Sequence, residues 1–136
     1  MAESIRMLVV DDYYGSGEFE RTLKRRFNNL DIDWVVTNED ALDVIKKGGY
    51  DIVIYDLSME PRLNNPITHK IKDQSPGCIL IAKSCADDYI PNGGLPEHFD
   101  GKIDYLRFPT NRDYIKEFFE SYGLCLEFRE DNGQQE

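Results

Sequence analysis

The chain has 136 residues, a formal net charge of −10 and a hydrophobic content of 40%. This length fits one soluble domain that buries its own core. The negative charge repels phosphate backbones, so nucleic acid is not expected as a direct partner. Three cysteines without paired spacing fit a reducing cytoplasm. No stretch is long and apolar enough for a signal peptide or a membrane span, so no membrane partner is expected either.

The first half of the chain alternates strands with helices. Short apolar, β-branched runs are typical of buried strands, and they span residues 5–10, 33–36 and 50–55. Apolar residues that recur every three or four positions predict a helix over residues 18–30 and a second one after residue 38. Thr37 or Asn38 can cap the second helix, and Gly48-Gly49 marks its end.

The second half continues the alternation less regularly. We predict a short helix over residues 67–72, a strand over 78–82, a fifth strand over 103–108 and a last helix capped by Thr110 or Asn111. Residues 84–101 are rich in proline and glycine, which predicts an irregular loop and a degenerate fourth helix. We expect one domain over residues 1–124, followed by a polar C-terminal tail over residues 125–136.

This order predicts an α/β fold, a single domain with a doubly wound, five-stranded parallel sheet. In such sheets ligands bind outside the carboxyl ends of the strands, where the winding reverses. Several polar side chains and a Phe-Pro pair follow the predicted strands, namely Asp11, Asp12, Asp56, Lys83, Ser84 and Phe108-Pro109. A binding site is therefore expected at this edge of the sheet.

Three carboxylates at one edge would repel one another unless a cation lies among them. Mg²⁺ prefers oxygen ligands and also neutralises a phosphoryl group in transfer. Asp11, Asp12, Asp56 and the backbone carbonyl of Ser58 are therefore candidate metal ligands, and Asp56 is also the candidate nucleophile. Any one aspartate alone could instead cap a helix or close a turn, but their coincidence at the ends of strands one and three favours function.

Residues 7–12 and 48–59 resemble the receiver domains of two-component response regulators, and a weaker likeness continues to about residue 123. The resemblance implies a flavodoxin-like fold, Mg²⁺ binding and a place in a phosphorelay. Asp56 would accept a phosphoryl group from a sensor histidine kinase or a phosphotransfer protein, without turnover of a small-molecule substrate. Tyr105 falls at the family's aromatic switch position.

Two departures from this family concern positive charge. Phe108 stands where the family has a lysine before the proline of strand five, and strand alternation predicts that the neighbouring Arg107 points to the opposite face. Lys83 aligns with the family's threonine or serine at the end of strand four, although a slip of one residue would place Ser84 there. We hypothesise that Lys83 supplies the missing ammonium from strand four; the alternative is a solvated lysine at a strand end.

Two rival functions remain open at this point. A pseudo-receiver would keep the fold and the acidic residues and act as a phosphorylation-independent interaction module. A flavodoxin-like cofactor binder or a phosphohydrolase would use the same crevice, although Asp11-Asp12 would repel a flavin phosphate without a metal. Because the sequence shows no output domain, we expect a downstream target protein or a homodimer to carry the response. Trp34 is expected to lie far from the pocket, and His69 and His98 to be isolated surface residues.

Overall fold

The computed structural model describes residues 3–12, 16–57, 66–83, 98–103 and 111–129. These residues form five strands and four helices. In chain order they are β1 (Ile5–Val10), α1 (Ser16–Arg26), β2 (Leu30–Val35), α2 (Asn38–Lys46), β3 (Ile52–Asp56), α3 (Pro66–Gln74), β4 (Ile79–Lys83), β5 (Gly101–Lys102) and α4 (Arg112–Glu120). None of the helices in the described part of the chain has the length and apolar character needed to cross a membrane.

The five strands form one sheet in the order β2-β1-β3-β4-β5, and every neighbouring pair is parallel. From β1 the chain first moves outward to β2, and then returns past β1 to build β3, β4 and β5 on the other side. The winding therefore reverses between β1 and β3. The predicted doubly wound, five-stranded parallel sheet is confirmed.

Each face of the sheet is covered by a pair of helices, because strand residues alternate between the two faces. The first cluster packs α1 and α4 on one face, through Met7, Val9, Leu23, Phe27, Ile54, Ile81, Ile115 and Phe119. The second packs α2 and α3 on the other face, through Leu8, Val10, Ala41, Ile45, Val53, Tyr55, Ile71 and Leu80. The three central strands are therefore buried on both sides, as their continuous apolar runs predict.

At the starts of α2 and α4, one of the two predicted capping residues makes the capping hydrogen bond. The Thr37 hydroxyl accepts a hydrogen bond from the Asp40 backbone N–H at 3.1 Å, and Asn111 Oδ1 accepts one from the Tyr114 N–H at 2.9 Å. At the far end of α2, Gly48 and Gly49 have φ values of 75° and 92°. A side chain is strained in that backbone region, which explains why two glycines turn the chain into β3.

Two strand boundaries differ from the predictions. β2 begins at Leu30, whereas the sequence pattern predicts that the first helix extends to residue 30. Leu30 and Ile32 alternate with exposed aspartates, as expected for an edge strand covered on one face. β5 pairs with β4 through Gly101 and Lys102, before the predicted strand over residues 103–108. Residues 104–110 lie outside the described residues, as do residues 84–97 with the expected loop and degenerate fourth helix.

The chain after residue 124 continues to pack on the domain. Leu126 is 1% exposed, and the rings of Phe27 and Phe128 stack with centroids 5.5 Å apart. Asn29 ties this segment down, because its Nδ2 donates to the Cys125 carbonyl at 2.9 Å and its Oδ1 accepts from the Glu127 N–H at 2.8 Å. The packed structure therefore extends past the expected boundary at residue 124, to at least residue 129.

Candidate functional site

The register of the sheet brings Asp11, Asp56 and Lys83 together at one edge. Val9 pairs with Ile54, and Ile54 pairs with Ile81, in three adjacent strands. Asp11, Asp56 and Lys83 each lie two positions beyond one of these residues. Because strand side chains alternate, all three project from the face that also carries α1 and α4. This edge is also where the winding reverses between β1 and β3.

The three predicted aspartates converge there. One carboxylate oxygen each from Asp11, Asp12 and Asp56 lies within 4.8 Å of the others. Asp11 and Asp56 are buried and Asp12 is exposed, so the cluster meets solvent on one side. A set of hard oxygen ligands with an open side fits Mg²⁺, which is commonly held by one or two carboxylates and keeps several waters.

Lys83 extends into this acidic cluster. Its ammonium forms an ion pair and a hydrogen bond with Asp11 Oδ2, and the exposed fractions of the two side chains are 7% for Lys83 and 0% for Asp11. The alternative of a solvated lysine is therefore wrong. β3 lies between β4 and β1, so the Lys83 side chain crosses the end of the strand that finishes with Asp56. The Lys83 side chain, at the end of β4, thus places a positive charge inside the pocket.

Backbone hydrogen bonds fix the strand ends that carry these groups. The Asp11 N–H donates to the Val35 carbonyl at 3.1 Å, and the Leu57 N–H donates to the Lys83 carbonyl at 2.8 Å. A fully buried carboxylate is costly unless it is paired and hydrogen-bonded. The fixed backbone and the ion pair together hold Asp11 in place as a buried anion.

Trp34 contacts the pocket directly, contrary to the sequence expectation. Its indole N–H donates to the Asp11 backbone carbonyl at 2.8 Å, and its ring packs edge-on against Phe19 with centroids 5.6 Å apart. The expectation was wrong because Trp34 pairs with Val9 in the parallel β1–β2 ladder, only two residues before Asp11. The order of the strands is a tertiary property, and the sequence alone did not reveal this contact.

A side-chain hydrogen bond anchors the end of β3 from the other face of the sheet. The Tyr55 hydroxyl donates to Asn38 Oδ1 at 2.6 Å, and Tyr55 is 1% exposed. Tyr55 directly precedes Asp56, so this bond ties the end of β3 to the first residue of α2. Sequence reasoning gave Asn38 only a capping role, and no spacing signal links it to Tyr55.

Several residues named in the sequence analysis lie outside the described residues: Ser58, Ser84, Tyr105, Arg107, Phe108, Pro109 and Thr110. The register between β3 and β4 nevertheless shows which residue at the end of strand four lies beside Asp56. Lys83 pairs directly with Asp56 between β4 and β3. The roles assigned to Ser58, Ser84 and Tyr105 stay predictions.

The two histidines are not isolated. The rings of His69 and His98 stack with centroids 3.8 Å apart, and the Thr68 hydroxyl lies 2.5 Å from His98 Nε2. Burial lowers the pKa of His98, and the nearby His69 and Lys72 lower it further. The sequence expectation failed because α3 and the segment before β5 are distant in sequence but adjacent in space.

Comparison with known proteins identifies the fold. No protein-family model matches the chain, and no curated protein matches it. Solved structures do match, among them a CheY-like response regulator receiver domain from Methylobacillus flagellatus, with a TM-score of 0.70, 20% identity, and coverage of 88% of this chain and 98% of that one. A CheY-like receiver domain protein from Methanospirillum hungatei has a TM-score of 0.66 and 18% identity, and the match covers 89% and 95% of the two chains.

A third similar structure is the response regulator TrrA from Thermotoga maritima, solved in complex with Mg²⁺-BeF. Its TM-score is 0.66 at 23% identity, with coverage of 86% of this chain and 97% of that one. At these identities the similarity establishes the fold, which is that of response regulator receiver domains. The acidic cluster occupies the crevice that this doubly wound fold offers to ligands.

Proposed function

We propose that this protein is a receiver domain of a phosphorelay, which accepts a phosphoryl group on Asp56 in a reaction that requires Mg²⁺. The observation that carries the proposal is the convergence of three carboxylate oxygens within 4.8 Å at the reversal point of the sheet. Asp11, Asp12 and Asp56 are assigned as metal ligands. The complex of TrrA with Mg²⁺-BeF supports the metal assignment for a chain of the same fold.

In the proposed reaction, a carboxylate oxygen of Asp56 attacks the phosphorus of the donor. The new O–P bond forms as the bond between phosphorus and the donor group breaks, and the electron pair of the broken bond stays with the donor. Asp11, Asp12 and Asp56 would hold the Mg²⁺, which when bound would supply positive charge to the phosphoryl oxygens. The Lys83 ammonium adds a second positive charge from β4, and we assign Ser84 to the same strand end.

The protein's own contacts position the nucleophile for this step. The Tyr55–Asn38 hydrogen bond holds the residue before Asp56, and the Leu57–Lys83 backbone bond holds the residue after it. Positioning of this kind is the main contribution that proteins make to phosphoryl transfer. We also assign the Ser58 backbone carbonyl as a further metal ligand and Tyr105 as the residue that reports phosphorylation to a partner.

The proposed partners follow from this chemistry. A sensor histidine kinase or a phosphotransfer protein would donate the phosphoryl group, and a downstream target protein or a homodimer would carry the response. The net charge of −10 makes a direct nucleic-acid partner unfavourable. Cys78 and Cys125 are free thiols, which supports a location in the reducing cytoplasm.

The test is incubation with a small phosphodonor and Mg²⁺, followed by mass spectrometry of the intact protein. We expect the wild type to gain one phosphoryl group. The gain should disappear in the Asp56→Asn variant and in the presence of a chelator. Asp43→Asn is the matched control, because Asp43 is an exposed aspartate on α2. A folded wild-type protein that gains no mass under these conditions would overturn the proposal.

One observation favours the pseudo-receiver as the second candidate. The Lys83–Asp11 ion pair neutralises a buried carboxylate of the cluster without any metal. A domain stabilised in this way could serve as a phosphorylation-independent interaction module. The same mass measurement separates the two candidates, because a pseudo-receiver gains no phosphoryl group on Asp56.

A further inference from the structure

Asp11 takes part in two interactions that compete for the negative charge of one carboxylate. Its carboxylate is one of three that can hold a metal ion, and its Oδ2 is already bonded to the Lys83 ammonium. The Asp11 side chain is fully buried, so little water screens a second positive charge brought beside Lys83. Two cations at this carboxylate would repel each other strongly.

We propose that Lys83 is an internal competitor of the divalent cation, and that metal binding at Asp11 releases the ammonium toward Asp56. The release step rests on the proposed function, whereas the competition step concerns metal binding alone. The protein would thus carry its own counter-ion for the metal-free state. Once the metal has replaced the ammonium at Asp11, the Lys83 side chain would stabilise the charge of the phosphoryl group.

The ammonium of Lys83 would have to move only a short distance in such a release. β3 separates β4 from β1, and Lys83 pairs with Asp56 in the ladder between β3 and β4. Neighbouring strands lie about 4.8 Å apart, so Asp56 is one strand away from Lys83 while Asp11 is two strands away. A lysine side chain has a flexible four-carbon stem, and it can change partners without movement of the backbone. A displaced ammonium therefore has Asp56 as its adjacent carboxylate.

Competition predicts two opposite effects of one substitution. Lys83→Met should strengthen Mg²⁺ binding, because the competing charge is gone, and should slow phosphorylation of Asp56, because the second positive charge is gone. A lysine with only a structural role would not strengthen metal binding when it is removed. A lysine that helps to bind the metal would weaken metal binding when it is removed.

The experiment is a calorimetric titration of Mg²⁺ into wild type, Lys83→Met, Lys83→Gln and Lys46→Met, each stripped of metal beforehand. Lys46 is an exposed lysine at the end of α2, so its loss reproduces the change in net charge away from the pocket. We expect both Lys83 variants to bind Mg²⁺ roughly tenfold or more tightly than wild type, since a unit charge is removed next to the ion. Lys46→Met should match wild type. Equal or weaker binding in the Lys83 variants would overturn the competition.

A variant that does not fold without metal is tested by thermal unfolding in a Mg²⁺ series. Two Mg²⁺ concentrations are compared: the one at which the Lys83 variants fold, and the one at which the Tm of wild type rises. A lower concentration for the variants would support competition. Variants that stay unfolded at every Mg²⁺ concentration would contradict it. Binding by the Lys83 variants where wild type binds no Mg²⁺ would also support it, and no binding by any of these proteins would contradict it.

The release step is tested by the rate of phosphorylation at saturating Mg²⁺. We expect Lys83→Met to react roughly 100-fold or more slowly than wild type, the loss typical of a removed transition-state contact. An unchanged rate would refute release toward Asp56. If wild type binds Mg²⁺ but gains no phosphoryl group, the proposed function fails, while the titration still decides the competition independently.

Discussion

Lys83 and Asp11 form a buried ion pair across the end of β3, although their strands are not neighbours in the sheet. The pair places the Lys83 ammonium among carboxylates that would otherwise repel one another. Lysine is rarely buried unless it is paired, and Asp11 supplies the partner. The stability of the metal-free protein should therefore depend on this pair.

Replacement of Lys83 with methionine should destabilise the metal-free protein. The substitution removes the ammonium from the buried Asp11 carboxylate, and loss of one member of a buried pair costs about 3–5 kcal/mol. Chemical denaturation in the presence of a chelator measures the free energy of unfolding. The exposed-lysine variant Lys46→Met should lie within about 0.5 kcal/mol of wild type. If Lys83→Met is equally stable, the pair does not contribute as proposed.

Removal of both charges should cost less than the sum of the two single removals. Asp11→Asn removes the carboxylate from the pair, Lys83→Met removes the ammonium, and the double variant removes both charges together. A double-mutant cycle should give a coupling of about 1–3 kcal/mol between the two positions. The four unfolding curves are recorded without metal. Additive effects would show that the two side chains act independently in solution.

Trp34 should report metal binding by its fluorescence. It is the single tryptophan of the chain, and its indole N–H is bonded to the Asp11 carbonyl. A cation bound at Asp11 changes the field at the indole, so the emission should change with Mg²⁺ and saturate. The midpoint should equal the Kd from calorimetry, and Asp43→Asn should behave like wild type. A flat emission signal at Mg²⁺ concentrations where calorimetry detects binding would refute this coupling.

The sequence predicts the acidic cluster well, because its residues follow strands and parallel strand ends meet at one edge. The convergence of Asp11, Asp12 and Asp56 is found in this way, and the structure places the Lys83 ammonium on Asp11 in the same pocket, whereas the role of Lys83 in phosphoryl transfer stays a prediction. The contact between Trp34 and Asp11 is not predictable in the same way, because it depends on which strand lies beside β1. Such neighbours are set by topology, and the amphipathic pattern of one strand does not encode them.

The C-terminal segment illustrates the same limit. Residues after Leu124 are mostly polar, which predicts a tail, yet the structure buries Leu126 beneath them. Leu126 and Phe128 are separated by Glu127 and followed by polar residues, and an apolar pattern this short does not predict a packed element. The burial of Leu126 depends on Asn29, which supplies hydrogen bonds on both sides of it.

Truncation of this buried side chain should therefore lower stability. Leu126→Ala should reduce the free energy of unfolding by about 2–5 kcal/mol, the range for a leucine in a packed core. Cys125→Ser is the matched control, because Cys125 is exposed and contributes only its backbone carbonyl to Asn29. Chemical denaturation of the three proteins gives the comparison. Equal stability of Leu126→Ala and wild type would mean that the segment is not packed in solution.

Stability should also fall as the pH is lowered through the range where His98 titrates. Burial, followed by the charges of His69 and Lys72, holds the pKa of His98 below its ordinary value of 6.5. Below about pH 6.5 the unfolded chain therefore binds a proton at His98 more readily than the folded protein does. The stability that comes from neutral His98 is fully present above about pH 6.5, and it is lost as the pH falls through the lower pKa of the folded state. Asp100, whose pKa is held below 3.8, acts only in a more acidic range. Unfolding curves between about pH 5 and pH 7 should thus show a steeper loss of stability in wild type than in His98→Gln. Parallel pH profiles for the two proteins would show that His98 is not kept neutral by the fold.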